Sequence, residues 1–442
     1  MKKKTINKII LLVILYALSL LVFIFGFSQE PRDIQGWEHI RPIMFILFIP
    51  LLTKYIIHLL IVPWHNYVNK RVLKNNNKNY QPLVSFIIPA WNEEVGIVNT
   101  IKSVLKSDYK KFEIIIVNDG STDKTGLRVK EFINSYKGAI TIKYFKKENG
   151  GKSSALNLGI KKAEGEIIIT SDADCVLDFK AISNLAKYFS NQEVMASAGN
   201  VRVGNNQKII GAIQKLEYLY GFYFKRSDSI LNTVYIVGGA AAAYRKTIFK
   251  KLGYFDEEII TEDIEYSTRI LNSGYKICYA ADAIFYTEVP SDLKSLIKQR
   301  LRWKYGRLKT FLKYQNLFFK IKGQHSKFLS FLILPVALFS EILLFFEVIL
   351  LPVFFVYTFL SGDFIPLIVV VSILSIIIFL QIITDVKWRE NKDVIFWAPI
   401  AWLVFYFVDF IEYVALVKSI IKIIKNKTVA WQKWERVGVF GA

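Results

Sequence analysis

Long apolar runs crowd the two ends of the chain and are absent from its middle, and this distribution limits the possible folds more than any other feature. Ile9 to Phe27 is an uncharged stretch of 19 residues, which at about 1.5 Å per helical residue matches a hydrocarbon core about 30 Å thick. The Ser28-Gln29-Glu30-Pro31 that follows has no small-x-small cleavage pattern, so the run reads as a membrane helix rather than a signal peptide. Pro42 to Pro63 carries Lys54 and His58 yet is long enough to pair with the first run as a hairpin. Apolar segments resume at Phe328 to Leu360, Phe364 to Ile383 and Val394 to Val417. The first of these contains Pro335 and Pro352 and reads either as an interfacial plus a spanning helix or as two spans. Lys2, Lys3, Lys4 and Lys8 precede the first run, and Lys418, Lys422, Lys425 and Lys427 follow the last. Both ends are therefore expected on the cytoplasmic side, with four or six spans in total.

The formal charge of +21 suits nucleic acid, anionic lipid or anionic small substrates. Because lysines gather where apolar runs end, the lipid bilayer is the expected partner and nucleic acid is not. Cys175 and Cys278 are the only cysteines, which points to neither a disulfide framework nor a cysteine metal site. His39, His58, His65 and His325 lack ligand spacing, which argues against a zinc enzyme.

From about Trp64 to Gly323 short apolar runs alternate with polar, glycine-containing turns and amphipathic stretches, as in a soluble domain. The expected organisation is an N-terminal membrane hairpin over residues 1–65, a cytoplasmic domain over 66–325, and membrane or interfacial helices with a basic tail over 326–442. Leu83–Pro89, Glu113–Val117, Ala139–Tyr144 and Glu166–Thr170 are short and rich in β-branched residues, which predicts buried strands. Helical patterns fill most of the gaps, so the domain is expected to be α/β with a mainly parallel sheet and a ligand beyond the carboxyl ends of the strands. Polar residues do follow each strand: Ala90-Trp91-Asn92-Glu93, Asn118 to Asp123, Glu148 to Lys152, and Ser171-Asp172-Ala173-Asp174.

Residues two apart on an extended segment project to the same side, so Asp172 and Asp174 can share one partner. Two carboxylates plus phosphate oxygens suit Mg²⁺ or Mn²⁺, although Asp-x-Asp is also common in solvated turns. Gly150-Gly151-Lys152-Ser153 fails as an ATPase phosphate loop, because Lys146 stands where that loop needs glycine. Lys152 is either an anion ligand or a surface lysine at a helix start. Glu93 and Asp119 are either ligand-facing or helix N-terminal carboxylates. Thr261-Glu262-Asp263 reads alone as a helix start, while a carboxylate across the crevice from a metal could serve as general base. In Gln299-Arg300-Leu301-Arg302-Trp303, Arg302 offers a planar guanidinium to a diphosphate and Trp303 a flat face to a sugar ring. A basic helix lying on a bilayer surface would account for the same residues.

In this order, over roughly Pro82 to Trp303, these segments resemble the processive family 2 glycosyltransferases, and Ile260 to Ile264 with Lys298 to Trp303 look most like poly-β-1,6-N-acetylglucosamine synthases. The resemblance implies a nucleotide-sugar-binding domain whose mixed sheet is parallel in its first half, joined to an α-helical transmembrane region. It implies that Glu93, Asp119, Lys152 and Asp172 bind a UDP-sugar, that Asp172 and Asp174 hold the metal, and that Asp263 is the base. Gly238, Gly239, Glu262, Gln299, Arg302 and Trp303 would meet the acceptor and the diphosphate. The implied enzyme is an inverting, multi-pass plasma-membrane glycosyltransferase with a cytoplasmic catalytic domain. It would polymerise a sugar, UDP-N-acetylglucosamine being the expected donor, onto a growing polysaccharide and export it, with a small membrane accessory subunit as a further partner. The alternative is addition of one sugar to a lipid carrier or other membrane acceptor.

Glu341, Glu347, Gln381, Asp409 and Glu412 interrupt the apolar C-terminal segments, where charge is costly. Asp409 and Glu412 share a helical face near Trp397, Trp402 and Tyr406. They are expected either to line a sugar path or to pair with lysines such as Lys418.

Overall fold

The computed structural model describes residues 53–74, 80–205, 208–429, 434 and 436–439, with a few isolated positions before residue 53. The expected span Ile9–Phe27 and the start of Pro42–Pro63 lie largely outside these residues.

The predicted strands form β1 (Val84–Ala90), β2 (Phe112–Asp119), β3 (Thr141–Lys147) and β4 (Ile167–Thr170). Helices α1 (Ile97–Leu105), α2 (Thr125–Ser135) and α3 (Lys152–Lys162) connect them. Further along come β5 (Cys175–Leu177), β6 (Val194–Val203), β7 (Ala242–Arg245) and β8 (Lys276–Thr287). All join one sheet in the order β3-β2-β1-β4-β7-β6-β8-β5. The first four run parallel. Strand β7 is antiparallel to β4 and β6, and β8 is parallel to β6 but antiparallel to β5. The sheet is thus mixed and parallel in its first half.

Alternate residues supply cores on opposite faces: Phe86, Ile88, Ile114 and Ile116 on one, Ile87, Ile115, Val117 and Ile168 on the other. With both faces covered, the strands read as unbroken apolar runs. One expectation is corrected: β3 is the sheet's edge strand and is only partly buried, because β2 alone pairs with it. Pro89 sits in a central strand at no cost. The Ile87 carbonyl points toward β4, accepting from the Ser171 amide at 3.2 Å, so Pro89 faces the same way, past the last rung at Ile87 and Thr170.

Helices α4 (Ile209–Leu231), α5 (Glu262–Asn272) and α6 (Leu293–Lys313) complete the α/β part, and α7 (Leu334–Ser361), α8 (Ile365–Thr384) and α9 (Ala401–Ile424) follow. Among the described residues three segments are long and apolar enough to cross a membrane: Leu329–Ser361, Ile365–Thr384 and Trp388–Ile424. The first is one continuous helix, entered through a π turn at Leu329–Ile333, and not two pieces. Pro335 stands just after the π turn, at the start of the α-helical part, and Pro352 lies inside it. Helix α6 packs along α9, joining the α/β part to the apolar helices.

Helix α3 lies tight against the sheet, and a Cβ at Gly159 would stand 2.5 Å from Ile87 Cγ2. Gly159→Val should therefore destabilise the fold by about 1–3 kcal/mol, read as a lower melting temperature of the purified protein, whereas a valine at exposed Leu127 should leave it nearly unchanged.

Candidate active site

The loops after β1 and β2 are tied together before any ligand is considered. Asn92, with a positive φ of 55° that asparagine tolerates, accepts at Oδ1 from the Thr122 amide (2.8 Å) and donates its own amide to Ser121 Oγ (2.9 Å). The Ser121 amide in turn donates to Asn118 Oδ1 at 2.8 Å. Asp119 anchors the third loop: its carboxylate accepts from the Gly150 and Gly151 amides at 3.0 and 2.7 Å and from Lys147 Nζ at 2.8 Å. Gly151, at φ 87°, caps α3 and turns Lys152 inward.

Lys152 then bridges two elements. Its Nζ is 2.6 Å from Asp172 and 3.0 Å from Glu262, on the first turn of α5. Burial opposes the ammonium charge, but Asp172, Glu262 and Asp263 outweigh it and hold Lys152 above the usual lysine range. Burial also works against charge on Asp172, yet Lys152, Arg302 and Arg436 keep its carboxyl below the usual value. Asp174 goes the other way: burial and the charge on Asp172 push it up, against the pull of Arg436. A Cβ at Gly239 would lie 2.6 Å from Lys152 Nζ and 3.1 Å from Glu262 Oε1, whereas one at Gly238 would meet nothing within 4 Å. Asp263 accepts the Gly239 amide at Oδ2 (3.0 Å) and the Ile264 amide at Oδ1 (2.9 Å), which fixes its orientation.

Glu93, Asp119, Lys152, Asp172, Asp174, Gly238, Gly239, Glu262, Asp263, Gln299, Arg302 and Trp303 all line one cavity of about 750 Å³. The residues that the resemblance assigns to donor, metal, base and acceptor therefore all border the same space. Ligand atoms of Asp172, Asp174 and Cys175 lie within 4.8 Å of one another. Burial, with Asp174 and Asp172 beside it, holds the Cys175 thiol well above its usual value; a hard divalent cation prefers oxygen to sulfur, so the two carboxylates are what it would meet. This donor set fits Mg²⁺ or Mn²⁺.

Two features of the cavity are not what the sequence suggested. The basic tail does not simply trail from the last helix: Trp434 and Arg436 line the cavity. The Arg436 guanidinium lies 2.7 Å from Glu93 and 2.6 Å from Asp174, while the Val437 and Gly438 amides donate to Glu288 at 2.7 and 3.1 Å. Arg436 is thus a site residue that no local motif announces. The carboxylates of the apolar segments divide between the two expectations, with partners the sequence did not single out. Glu341 pairs with Lys304 (2.7 Å) and Arg307 (2.5 Å), and Glu412 with Lys304 (2.5 Å) and Arg300 (3.6 Å). Their partners are cations of α6, not Lys418. Glu412 lines the cavity; Asp409 is not among the lining residues.

Positions 299, 300, 302, 303, 304 and 307 place both sets of groups on α6, whose first turn is capped by Asp292 accepting from the Ser295 amide. The Arg300 guanidinium sits 4.5 Å from the centre of the Trp303 ring and 2.8 Å from Glu217. Burial, opposed by Arg300 and reinforced by Glu412, pushes the Glu217 carboxyl up to about 7. The cavity continues past these residues to Lys54, Tyr55 and His58, on the helix that precedes the α/β part.

Residues 85–253 match the family model described as Glycosyl transferase family 2. A poly-beta-1,6-N-acetyl-D-glucosamine synthase of Staphylococcus epidermidis is 36% identical over 242 residues, covering 54% of this chain and 58% of that protein. Its namesake in Staphylococcus aureus is 34% identical over 271 residues, covering 59% and 64%. The matched region thus spans 58% to 64% of the length of these relatives. The mannosyltransferase PcManGT of Pyrobaculum calidifontis, solved in complex with GDP-Man and Mn²⁺, shares the fold, with a TM-score of 0.56, 18% identity, and 86% of this chain and 100% of that chain covered.

Arg436→Gln should free Glu93 and Asp174 and tighten Mn²⁺ binding in the absence of nucleotide by about 3- to 10-fold, as loss of one competing charge-assisted contact would, measured by titration of the purified protein. Lys304→Met should leave Glu341 and Glu412 short of a buried partner and cost about 3–5 kcal/mol of stability, seen as a lower melting temperature.

Proposed function

The chain carries a family 2 glycosyltransferase domain, and from that premise we propose that it polymerises sugar units from UDP-N-acetylglucosamine into a β-linked polysaccharide and passes the product outward between its membrane helices. What carries the reading is continuity: one cavity runs from the acidic strand ends, past Gln299 and Trp303, to Glu412 of α9 and to Lys54. The similarity to two poly-beta-1,6-N-acetyl-D-glucosamine synthases supports the choice of sugar. The domain of residues 66–325 would face the cytoplasm and its nucleotide-sugar pool, with the flanking helices anchored in the plasma membrane.

Glu93 and Asp119 would hold the uridine end of the donor, and Lys152 and Arg302 would flank its diphosphate as cations. Asp172 and Asp174 would hold a divalent cation, whose charge, once bound, offsets that developing on the diphosphate. Asp263, oriented by the Gly239 and Ile264 amides, would accept the proton of the acceptor hydroxyl. That oxygen bonds to the anomeric carbon on the face opposite the departing diphosphate, the bond to phosphate oxygen breaks with its electron pair going to UDP, and configuration inverts. Gly238 leaves room for the acceptor's terminal ring, and Trp303, with Arg300 over one face, would offer the other to it. Before the donor enters, Arg436 occupies the carboxylates the donor and cation need, so the tail must shift on binding.

Asp263→Asn should retain UDP binding but lower transfer by about 10²- to 10⁴-fold, while Asp174→Ala should lose the metal-dependent part of nucleotide binding. Membranes supplied with radiolabelled UDP-N-acetylglucosamine should yield a ladder or long polymer. One discrete product would instead mean a single addition to a lipid carrier, and full turnover by Asp263→Asn would remove the base assignment.

A further inference from the structure

A second cavity of about 330 Å³ lies on the other side of α4, between the end of β6 and the junction of α8 with the segment Trp388–Ile400. Two of its three cations are paired with carboxylates, and the third, Arg226, donates to the Thr384 carbonyl at 3.3 Å. Arg202 is paired with Asp385 and, at 3.3 Å, with Glu390, and Lys215 with Asp393 at 2.7 Å. Its hydrogen bonding is not so closed. Gln381, 1% exposed on a helix long and apolar enough to span a membrane, has neither its amide N–H₂ nor its carbonyl oxygen engaged among the described residues. Asn391 Nδ2 (4% exposed) and Arg226 Nε (7% exposed) are likewise without a partner, and all three residues line the cavity.

Leaving such buried groups unmade costs about 1–3 kcal/mol each, so the cavity is built for something that supplies oxygen acceptors. Tyr218, Phe222, Tyr279 and Tyr286 add flat apolar walls. Carboxylates that take up two of the three cations, N–H donors in excess over acceptors, and aromatic faces together select an oxygen-rich, uncharged ring whose hydroxyl and carbonyl oxygens accept from Gln381, Asn391 and Arg226. The volume is at the small end for ligand pockets and admits one such ring rather than a chain.

We propose that this cavity binds a single neutral saccharide unit, separately from the transfer site. Val201, Tyr218 and Phe222 line both cavities, so an occupant would press on the back of the wall that bounds the transfer site and change how readily that site takes its substrates. The ligand class rests on the lining; the choice of probe rests on the sugar proposed above.

The test is calorimetric titration of the full chain in nanodiscs with N-acetylglucosamine and with glucose, at saturating UDP and Mn²⁺, with UDP release from UDP-N-acetylglucosamine measured in parallel. Binding of either sugar should weaken by about tenfold or more, the loss of one or two buried hydrogen bonds, in Gln381→Leu and independently in Asn391→Leu, and should survive Trp303→Ala. No heat with either sugar, undiminished binding in both leucine variants, or loss only in Trp303→Ala would overturn the proposal. So would leucine variants that merely raise the melting temperature of a protein that binds no sugar, since the cavity would then hold water alone. Failure of these titrations with normal UDP release would leave the transfer reading standing, whereas sugar binding without UDP release would do the reverse.

Discussion

Carboxylates crowded into one cavity repel each other and resist burial, and much of the architecture around the site answers that constraint. Asp119 is answered by two loop amides and Lys147, Asp172 and Glu262 by Lys152, Asp263 by the Gly239 amide, and Glu93 with Asp174 by Arg436. The cations and amides come from four different elements, so satisfying the charges also fixes how those elements sit. Lys152 does this most directly, because one ammonium group ties the start of α3 to the end of β4 and the start of α5.

The same logic extends into the apolar half. Helix α6 carries Gln299, Arg302 and Trp303 toward the strand ends while Arg300, Lys304 and Arg307 neutralise Glu217, Glu341 and Glu412. Deleting one partner strands another in a medium that cannot solvate it. A helix held this way is tied at once to α7, to α9 and to the wall of the cavity.

Much of the site was legible because parallel α/β sheets gather their loops at one edge. Once β1, β2 and β4 were recognised from β-branched runs, the polar residues after each had to converge, and Glu93, Asp119, Asp172 and Asp174 do face one cavity. The third strand was misjudged as buried because Ile140, Ile142 and Tyr144 resemble a core pattern; edge position is a property of pairing, not of composition. The resemblance implied a mixed sheet, but the residues alone did not locate its second half: β5 and β7 are only three and four residues long, and in β6 and β8 alanines and polar residues break up the β-branched positions.

From the amino-acid order alone came the apolar ends, the α/β middle and the identity of the acidic and basic groups that meet, because period, charge and turn chemistry are local properties. Tertiary structure alone decided which charges pair. Arg436 reaches Glu93 across 343 positions of sequence, and Glu412 turns to Lys304 instead of the nearby Lys418. Neither pairing leaves a trace at short range, since a buried charge takes whichever partner folding brings within a few ångströms, and that distance is set by how helices and sheet pack.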